Sequence, residues 1–364
     1  MMKGLYIHIP FCKSKCNYCG FYSICNFDTD ILEKYLNRVI QVFLSFHMCD
    51  FSTIYIGGGT PSVISARLFD NFLKKLSKAV NFHDLQEFTV EVNPESVNID
   101  LIQVFKNYNV NRISLGAQSF DNNVLRLLGR VHDSDLIISS VELIRKYHKM
   151  AALNLDIIYD IPLVPYSAIE NSLQSVIKLS CEHISAYTYS FDTEFFKGYT
   201  PIDESMYLRV KHFLEEKGYR KYEISNFAKT GFESIHNKKY WQMKEYLGVG
   251  ASASSMIIRD GKRVRFTFSK NVNEFILNPY LTNLEIVCNK DELLKEDIVF
   301  GLRMLDGVDL KSLRKSYGKL LNNFLEKSSA LFEENLIRMS GERLCLTESG
   351  ELLLDSVQQF FWEL

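Results

Sequence analysis

Three cysteines within eight residues constrain this chain more than any other feature of its sequence. Cys12, Cys16 and Cys19 follow a C-x3-C-x2-C spacing, and the apolar run at residues 5–9 just before them predicts a β-strand. Because soft thiolate ligands suit iron–sulfur chemistry, three of them on one loop can bind three irons of a [4Fe–4S] cube. The fourth iron would then lack a protein ligand and be open to a small chelating molecule.

Three other interpretations of these cysteines compete with the cluster. A structural zinc site requires four ligands, usually in two separated pairs, and His8 is the only nearby fourth candidate. A disulfide suits a small secreted domain, which this chain is not. Unligated core thiols fit poorly because the residues between the cysteines are mostly polar. The spacing and its neighbours therefore favour the open cluster over zinc.

Length and charge exclude several classes of function. The chain has 364 residues and a formal net charge of −2, so it can bury a large core and offers no electrostatic case for nucleic acid. It shows neither a signal-peptide stretch nor a run approaching the roughly 20 apolar residues of a membrane helix. We therefore expect a cytoplasmic protein. A reducing compartment explains the five scattered cysteines, which are Cys25, Cys49, Cys181, Cys288 and Cys345.

Strand-like and helix-like segments alternate six times between residues 5 and 189. Apolar strands separated by amphipathic helices predict an α/β fold in which helices cover a parallel sheet. Periodicity alone fits a barrel and an open doubly wound sheet equally well. In either architecture, functional groups gather at the C-terminal ends of the strands, where the cysteine loop and several glycine and polar residues fall.

The pattern changes after residue 189. Strand-like runs and polar loops follow, among them the loop segment HNKKYW at 236–241. From about residue 285 the sequence becomes helical and charged, and it ends with two short strands joined near Gly341. We predict one unit over residues 1–285 and a C-terminal helical, winged-helix-like domain over 286–364. Its basic residues are balanced by acids, which argues against a DNA-recognition helix.

The run YIHIPFCxxxCxYCxF resembles the start of radical S-adenosylmethionine (SAM) enzymes in the oxygen-independent coproporphyrinogen III oxidase family. The resemblance extends over essentially the whole chain and implies a partial (β/α)6 TIM-like barrel. It also implies two cofactors, a [4Fe–4S] cluster on Cys12, Cys16 and Cys19 and SAM, whose amino and carboxylate groups chelate the open iron. In this family an electron from the cluster cleaves SAM to methionine and a 5′-deoxyadenosyl radical.

The same resemblance assigns residues to the SAM site. The GGGTP segment alone indicates only a glycine-rich turn, but in the family it holds the methionine end of SAM. Asp156 lies inside an apolar strand, where an acid is costly without partners, and it matches a family residue near the ribose. Tyr6 and Tyr18 match positions around the cluster and the adenine, although each could equally be a core aromatic. The implied SAM set is Tyr6, Tyr18, Gly58, Gly59, Thr60, Glu91, Gln118, Arg130 and Asp156.

His236 is the candidate for haem binding. An isolated loop histidine usually has no special role, yet HNxxYW matches a motif of the haem-handling branch of the family. Neutral imidazole is a common axial ligand of haem iron, so the resemblance implies a tetrapyrrole role for His236, with Tyr240 and Trp241 packed beside it. Branch members tend to carry a second histidine where this chain has Ser254, and its role is not carried over.

Two departures from the oxidase pattern select a branch. The oxidases carry a fourth cysteine two positions after the third, where this chain has Phe21, and they extend ahead of the first strand. Both departures match the haem-chaperone branch, which binds haem and passes it to respiratory haem proteins. The leading hypothesis is therefore a cluster- and SAM-binding haem chaperone that has an electron donor and at most peripheral membrane contact. The alternatives are coproporphyrinogen III oxidase, an activity that Phe21 makes doubtful, and a radical SAM enzyme acting on an unrelated substrate.

Overall fold

The computed structural model describes residues 3–189 and 204–364. Its first half alternates strands and helices as the periodicity predicts, and aspartates cap several helices: Asp28 caps the first, accepting a hydrogen bond from the backbone N–H of Ile31 at 2.8 Å. The elements are β1 (Lys3–Ile9), α1 (Thr29–Ser45), β2 (Phe51–Gly58), α2 (Ala66–Leu76), β3 (Glu87–Val92), α3 (Ile99–Asn107), β4 (Arg112–Gln118), α4 (Asn122–Leu127), α5 (Ser134–Tyr147), β5 (Ala152–Tyr159), α6 (Tyr166–Lys178) and β6 (His183–Thr188).

Strands β1 to β6 pair in parallel in chain order. Their side chains alternate between two buried faces of different character. Ile54, Val90 and Leu155 belong to the hydrophobic core, whereas Tyr55 and Glu91, each one residue farther along its strand, line a cavity on the other face. Successive residues of a strand point to opposite faces, so this polar–apolar alternation builds a polar interior behind an apolar layer.

The middle of the chain extends this sheet at both ends. The added elements are α7 (Glu204–Glu216), β7 (Arg220–Glu223), β8 (Asn226–Ala228), α8 (Ile235–Trp241), β9 (Tyr246–Val249), β10 (Ser254–Arg259), β11 (Lys262–Phe268), α9 (Val272–Leu277) and β12 (Leu281–Val287). The strand order is β12-β11-β10-β9-β1-β2-β3-β4-β5-β6-β8-β7. Among the described strands the two ends of the sheet do not pair, so the barrel is open, as a partial (β/α)6 barrel requires.

A second hydrophobic cluster organises the C-terminal region, and its buried members lie between Leu294 and Phe361. A small sheet of order β13-β15-β14 packs with the helices there. The domain boundary at 285/286 stays a prediction. The elements are α10 (Lys290–Gly301), β13 (Val308–Asp309), α11 (Leu310–Tyr317), α12 (Lys319–Lys327), α13 (Ser329–Glu333), β14 (Ile337–Ser340), β15 (Arg343–Leu346), α14 (Glu348–Leu352) and α15 (Leu354–Glu363).

The segment HNKKYW is helical, and its prediction as a loop is wrong. It forms most of α8, whose N-cap Ser234 accepts a hydrogen bond from the backbone N–H of Asn237. The Glu87 carboxylate accepts from the Ser234 hydroxyl at 3.0 Å and from the backbone N–H of His236 at 3.3 Å. Tertiary contacts thus stabilise a helix too short to form alone. In the described chain, no helix is both long and apolar enough to span a bilayer.

Candidate functional site

A cavity of about 560 Å³ opens at the C-terminal ends of the parallel strands. Most of the residues that the sequence assigns to cofactors line it, although chain segments more than a hundred residues apart contribute them. Tyr6 and His236 do not belong to this lining. The assigned residues that line the cavity are Cys12, Cys16, Tyr18, Cys19, Gly58, Gly59, Thr60, Glu91, Gln118, Arg130 and Asp156.

The cysteine loop is held in place by backbone hydrogen bonds to neighbouring segments. The N–H of Cys12 donates to the carbonyl of Ile24 at 3.0 Å, which closes the base of the loop. The N–H of Asn17 donates to the carbonyl of Leu128 at 3.1 Å, just beyond α4. These contacts fix the loop by its backbone and leave the cysteine side chains facing the cavity.

The glycine segment after β2 packs directly against the cysteine loop. The N–H of Gly59 donates to the carbonyl of Ile9, and the N–H of Thr60 donates to that of Phe11, both at 2.8 Å. A Cβ atom at Gly59 would lie 2.8 Å from the Phe11 carbonyl oxygen, and one at Gly58, where φ is +115°, would lie 2.6 Å from the His8 ring. Glycine is therefore required here by close chain packing, whatever the segment binds.

Side-chain donors point at two of the three cysteine sulfurs. The Thr60 hydroxyl lies 3.5 Å from Cys12 Sγ, and Arg130 Nη1 lies 3.4 Å from Cys16 Sγ. Such donors suit thiolates that carry negative charge on a cluster. In residues 3–189 and 204–364, no three His, Cys, Asp or Glu side chains converge on one metal ion. In a [4Fe–4S] cube each thiolate binds a different iron, so three ligands from one loop are enough to hold it.

Two half-buried acids face the cavity beside the cysteines. Glu91 accepts from the Tyr55 hydroxyl at 2.7 Å and from the N–H of Gly58 at 3.0 Å, and burial raises its pKa to about 7. Asp156 accepts from Asn154 Nδ2 at 2.7 Å, and burial likewise raises its pKa. Both carboxyl groups thus have fixed donors on one side and the cavity on the other, an arrangement suited to ammonium or hydroxyl groups of a ligand.

Gln118 and Tyr18 complete the wall of the cavity. Gln118 ends β4 with a φ of +67°, which a residue with a side chain adopts only when its surroundings compensate. The Tyr18 hydroxyl lies 3.4 Å from Arg130 Nη1, and burial raises the pKa of this tyrosine above its usual value. Tyr6 lies behind this wall, where its hydroxyl hydrogen-bonds His8 Nδ1 at 2.8 Å. The cofactor roles of all three stay predictions.

His236 lies at the opposite end of the barrel interior. Its side chain is 1% exposed, and both ring nitrogens are engaged, Nδ1 with the Thr53 hydroxyl and Nε2 with the Tyr240 hydroxyl, each at 2.8 Å. Burial lowers its pKa to about 3. Both ring nitrogens are therefore already hydrogen-bonded, and the haem role of His236 stays a prediction that these contacts argue against. Ser254 is exposed and hydrogen-bonds Thr267.

The sequence interpretation missed one residue that joins several parts of this site. Asn93 follows β3, and its amide contacts both Thr60 and Arg130, at 3.0 and 2.8 Å. Its place at a strand end, two residues after Glu91, was the available signal. Tyr55 was missed as well, because a tyrosine in a strand usually belongs to the core.

Comparisons with known proteins agree on the kind of protein that this site belongs to. Residues 6–176 match the model of the radical SAM superfamily, and residues 288–353 match that of the HemN C-terminal domain. The chain is 34% identical to the haem chaperone HemW of Bacillus subtilis, covering 98% of both chains. It is 31% identical to the haem chaperone HemW of Lactococcus lactis, covering 98% of this chain and 96% of the relative.

A solved structure shares the fold at lower sequence identity. Coproporphyrinogen III oxidase (HemN) from Escherichia coli, described as a radical SAM enzyme, superposes with a TM-score of 0.82 at 20% identity. The superposition covers 99% of this chain and 90% of that one. It confirms the fold from the cysteine loop through the C-terminal region, and at this identity it carries no conclusion about activity.

Proposed function

The chain belongs to the HemW family of radical SAM proteins, and from this premise we propose that it is a haem chaperone. It binds a [4Fe–4S] cluster, SAM and haem, and it delivers haem to respiratory haem proteins. The observation that carries the proposal is the likeness to the haem chaperone HemW of Bacillus subtilis, which covers 98% of that protein and of this chain. Phe21, in the place of the oxidases' fourth cysteine, supports it; this side chain is 69% exposed at the cavity rim.

The cavity residues have defined parts in this proposal. Cys12, Cys16 and Cys19 hold three irons of the cluster, which supplies a single electron at low potential when it is bound. Glu91 and Asp156 present carboxylate oxygens to the ammonium and ribose groups of SAM, since carboxylates make strong charge-assisted hydrogen bonds. The wall formed by the sheet limits the access of water and oxygen to this chemistry.

Haem is the part of the proposal that rests on the names of the relatives, whereas its recipients and the compartment rest on the branch pattern of the sequence. HemW proteins are named as haem chaperones, so this chain takes haem as cargo. Its proposed partners are an electron donor and respiratory haem proteins. The proposed compartment is the reducing cytoplasm, which suits a chain whose eight cysteines are all free. His236 has no part in haem binding in this proposal, because its ring nitrogens are both hydrogen-bonded inside the barrel.

A haemin titration of the purified protein tests the chaperone role. We expect a shifted Soret band that saturates with the protein concentration, both before and after anaerobic cluster reconstitution. Haemin in buffer and haemin with an unrelated protein of similar charge are the controls. Absence of a protein-specific shift up to high micromolar haemin would overturn the proposal.

The alternative function is oxidation of coproporphyrinogen III to protoporphyrinogen IX. The observation that favours it is the match of residues 288–353 to the HemN C-terminal domain. Reconstituted protein given coproporphyrinogen III, SAM and a reductant under anaerobic conditions distinguishes the two functions. We expect no protoporphyrinogen, and turnover at a steady rate would favour the oxidase.

A further inference from the structure

Asn93 connects two side chains that in turn contact two different cysteine sulfurs. Its Nδ2 lies 3.0 Å from the Thr60 hydroxyl, and its Oδ1 lies 2.8 Å from Arg130 Nη2. Thr60 reaches Cys12 Sγ at 3.5 Å, and Arg130 Nη1 reaches Cys16 Sγ at 3.4 Å. The five residues therefore form one continuous path of hydrogen bonds between two of the three predicted cluster ligands.

The direction of every hydrogen bond in this path is determined by chemistry. A guanidinium group only donates, so Asn93 must turn its oxygen to Arg130 and its NH2 group to Thr60. The Thr60 oxygen then accepts from Asn93, which leaves the hydroxyl proton to point at Cys12. Arg130 likewise has Nη1 left for Cys16, because Nη2 is occupied by Asn93 and by the Gly116 carbonyl at 2.9 Å.

The surroundings keep this path in place. Thr60 is buried, and its backbone N–H is bound to the Phe11 carbonyl at 2.8 Å. The backbone N–H of Asn93 donates to the Ser62 hydroxyl at 3.1 Å. A Cβ atom at Gly116 would lie 2.8 Å from Asn93 Oδ1, so glycine leaves the space that the amide occupies. The two groups that donate to sulfur, on Thr60 and Arg130, are therefore kept in position by contacts within the chain.

Hydrogen bonds to ligating sulfurs stabilise the more negative, reduced form of an iron–sulfur cluster and so raise its reduction potential. We propose that Asn93 is a positioning residue that sets this potential by holding the Thr60 hydroxyl and the Arg130 guanidinium against the sulfurs of Cys12 and Cys16. This rests on the proposed function only in requiring a cluster on those cysteines. Asn93 itself contacts neither sulfur and acts through the two donors.

Redox titration of the reconstituted protein tests this role. Dithionite reduction in the absence of SAM is followed by the electron paramagnetic resonance signal of the reduced cluster. Asn93→Leu keeps the approximate side-chain shape and removes the hydrogen bonds to the Thr60 hydroxyl and to Arg130. We expect a more negative midpoint potential, with the oxidation–reduction equilibrium shifted roughly tenfold, or about 59 mV for one electron. Ser96→Ala is the matched control, because Ser96 hydrogen-bonds Ser62 and the Asn93 carbonyl in the same turn without touching either donor.

A second pair of variants covers the case in which Asn93→Leu does not hold its cluster. Thr60→Val removes the donor to Cys12 and keeps the side-chain shape, whereas Thr60→Ser keeps the hydroxyl. We expect a smaller negative shift in potential for Thr60→Val and a potential close to wild type for Thr60→Ser. Because the Thr60 donor depends on Asn93, the shift of Asn93→Leu with Thr60→Val should be less than the sum of the two.

The outcomes separate failure of this inference from failure of the proposed function. Wild-type protein that takes up no cluster would overturn both. A wild-type cluster whose potential stays the same in Asn93→Leu and Thr60→Val would overturn only the role of Asn93. An equal shift in Ser96→Ala would show that general loosening of the turn is responsible, and would also overturn it.

Discussion

The barrel interior is polar at both ends, but the two ends use their polar groups differently. At the lower end, formed by the N-terminal ends of the strands and by α8, side chains bind one another. His183 lies between Asn154 at 2.6 Å and Tyr222 at 2.9 Å, just as His236 lies between two hydroxyl groups. At the upper end, donors from Thr60 and Arg130 point at cysteine sulfurs beside a cavity.

The difference shows that burial and residue type do not identify a functional site by themselves. Histidine, glutamate and tyrosine occur at both ends of the interior. Glu87 at the lower end accepts hydrogen bonds from Thr89 and from the start of α8, which holds this helix against the strands. Glu91 lies farther along the same strand β3 and on the same face as Glu87, and part of its carboxylate faces the cavity. What distinguishes the ends is whether the hydrogen-bonding capacity is already satisfied within the chain.

The largest expected effect is at the upper end, where single cysteine substitutions should abolish a cofactor without unfolding the protein. We expect Cys12→Ala, Cys16→Ala and Cys19→Ala each to lose the visible absorbance and iron of the anaerobically reconstituted cluster, because three ligands are the minimum on this loop. Cys25→Ala is the matched control and should keep both. Loss of the cluster in Cys25→Ala as well, or stoichiometric zinc in the wild type, would contradict the assignment.

At the lower end, substitution of Glu87 should reduce stability instead. Glu87→Ala removes the acceptor of the Ser234 hydroxyl and of backbone N–H groups at the start of α8. Glu87 also faces the buried guanidinium of Arg112. Leaving these groups without their acceptor should cost about 3–5 kcal/mol in the free energy of unfolding, measured with urea on cluster-free protein.

Glu87→Gln keeps one acceptor oxygen and should lose less stability than Glu87→Ala. Below the unfolding transition, both variants should still take up the cluster, because the upper end is unchanged. If Glu87→Ala kept full stability and lost the cluster, the division between the two ends would be wrong.

His236→Ala should lower stability by about 2–3 kcal/mol and leave haem affinity unchanged. The substitution leaves a small cavity and deprives the Thr53 and Tyr240 hydroxyls of their partner. Urea unfolding and haemin titration of the same preparation measure the two effects. Tyr240→Phe removes one of the hydrogen bonds alone and should cost about 1 kcal/mol. Weakened haem binding in His236→Ala at unchanged stability would restore the axial-ligand role that its motif implies.

The sequence predicted most of the strands and helices of the parallel sheet and the cysteine loop, because both depend on local patterns. Six strand–helix alternations follow from periodicity, and the structure confirms them in β1 to β6 and the helices between them. The cysteine spacing carries its chemistry in a few adjacent residues. The prediction of a loop at residues 236–241 was wrong because α8 depends on Glu87, which lies 147 positions from Ser234 in the chain. Asn93 was missed for the same reason, since its two partners are 33 and 37 positions away.

The last prediction concerns Glu91 at the upper end, whose carboxyl should make the stability of the protein depend on pH. Burial raises the pKa of this carboxyl from 4.5 in the unfolded chain to about 7 in the folded protein. The folded state therefore binds the proton more tightly, and the stability that the protonated group contributes is lost as the pH rises through about 7. The neutral side chain of Glu91→Gln does not undergo this loss.

Cluster-free Glu91→Gln should therefore gain stability relative to wild type between pH 5 and pH 8, by on the order of 2 kcal/mol. Urea unfolding at several pH values measures this difference. The exposed Glu33→Gln is the matched control and should differ from wild type by the same small amount throughout. A constant difference for Glu91→Gln would mean that burial does not raise the pKa of this carboxyl. The contrast between the two ends would then rest on their hydrogen bonds alone and not on a pH-dependent contribution from the upper end.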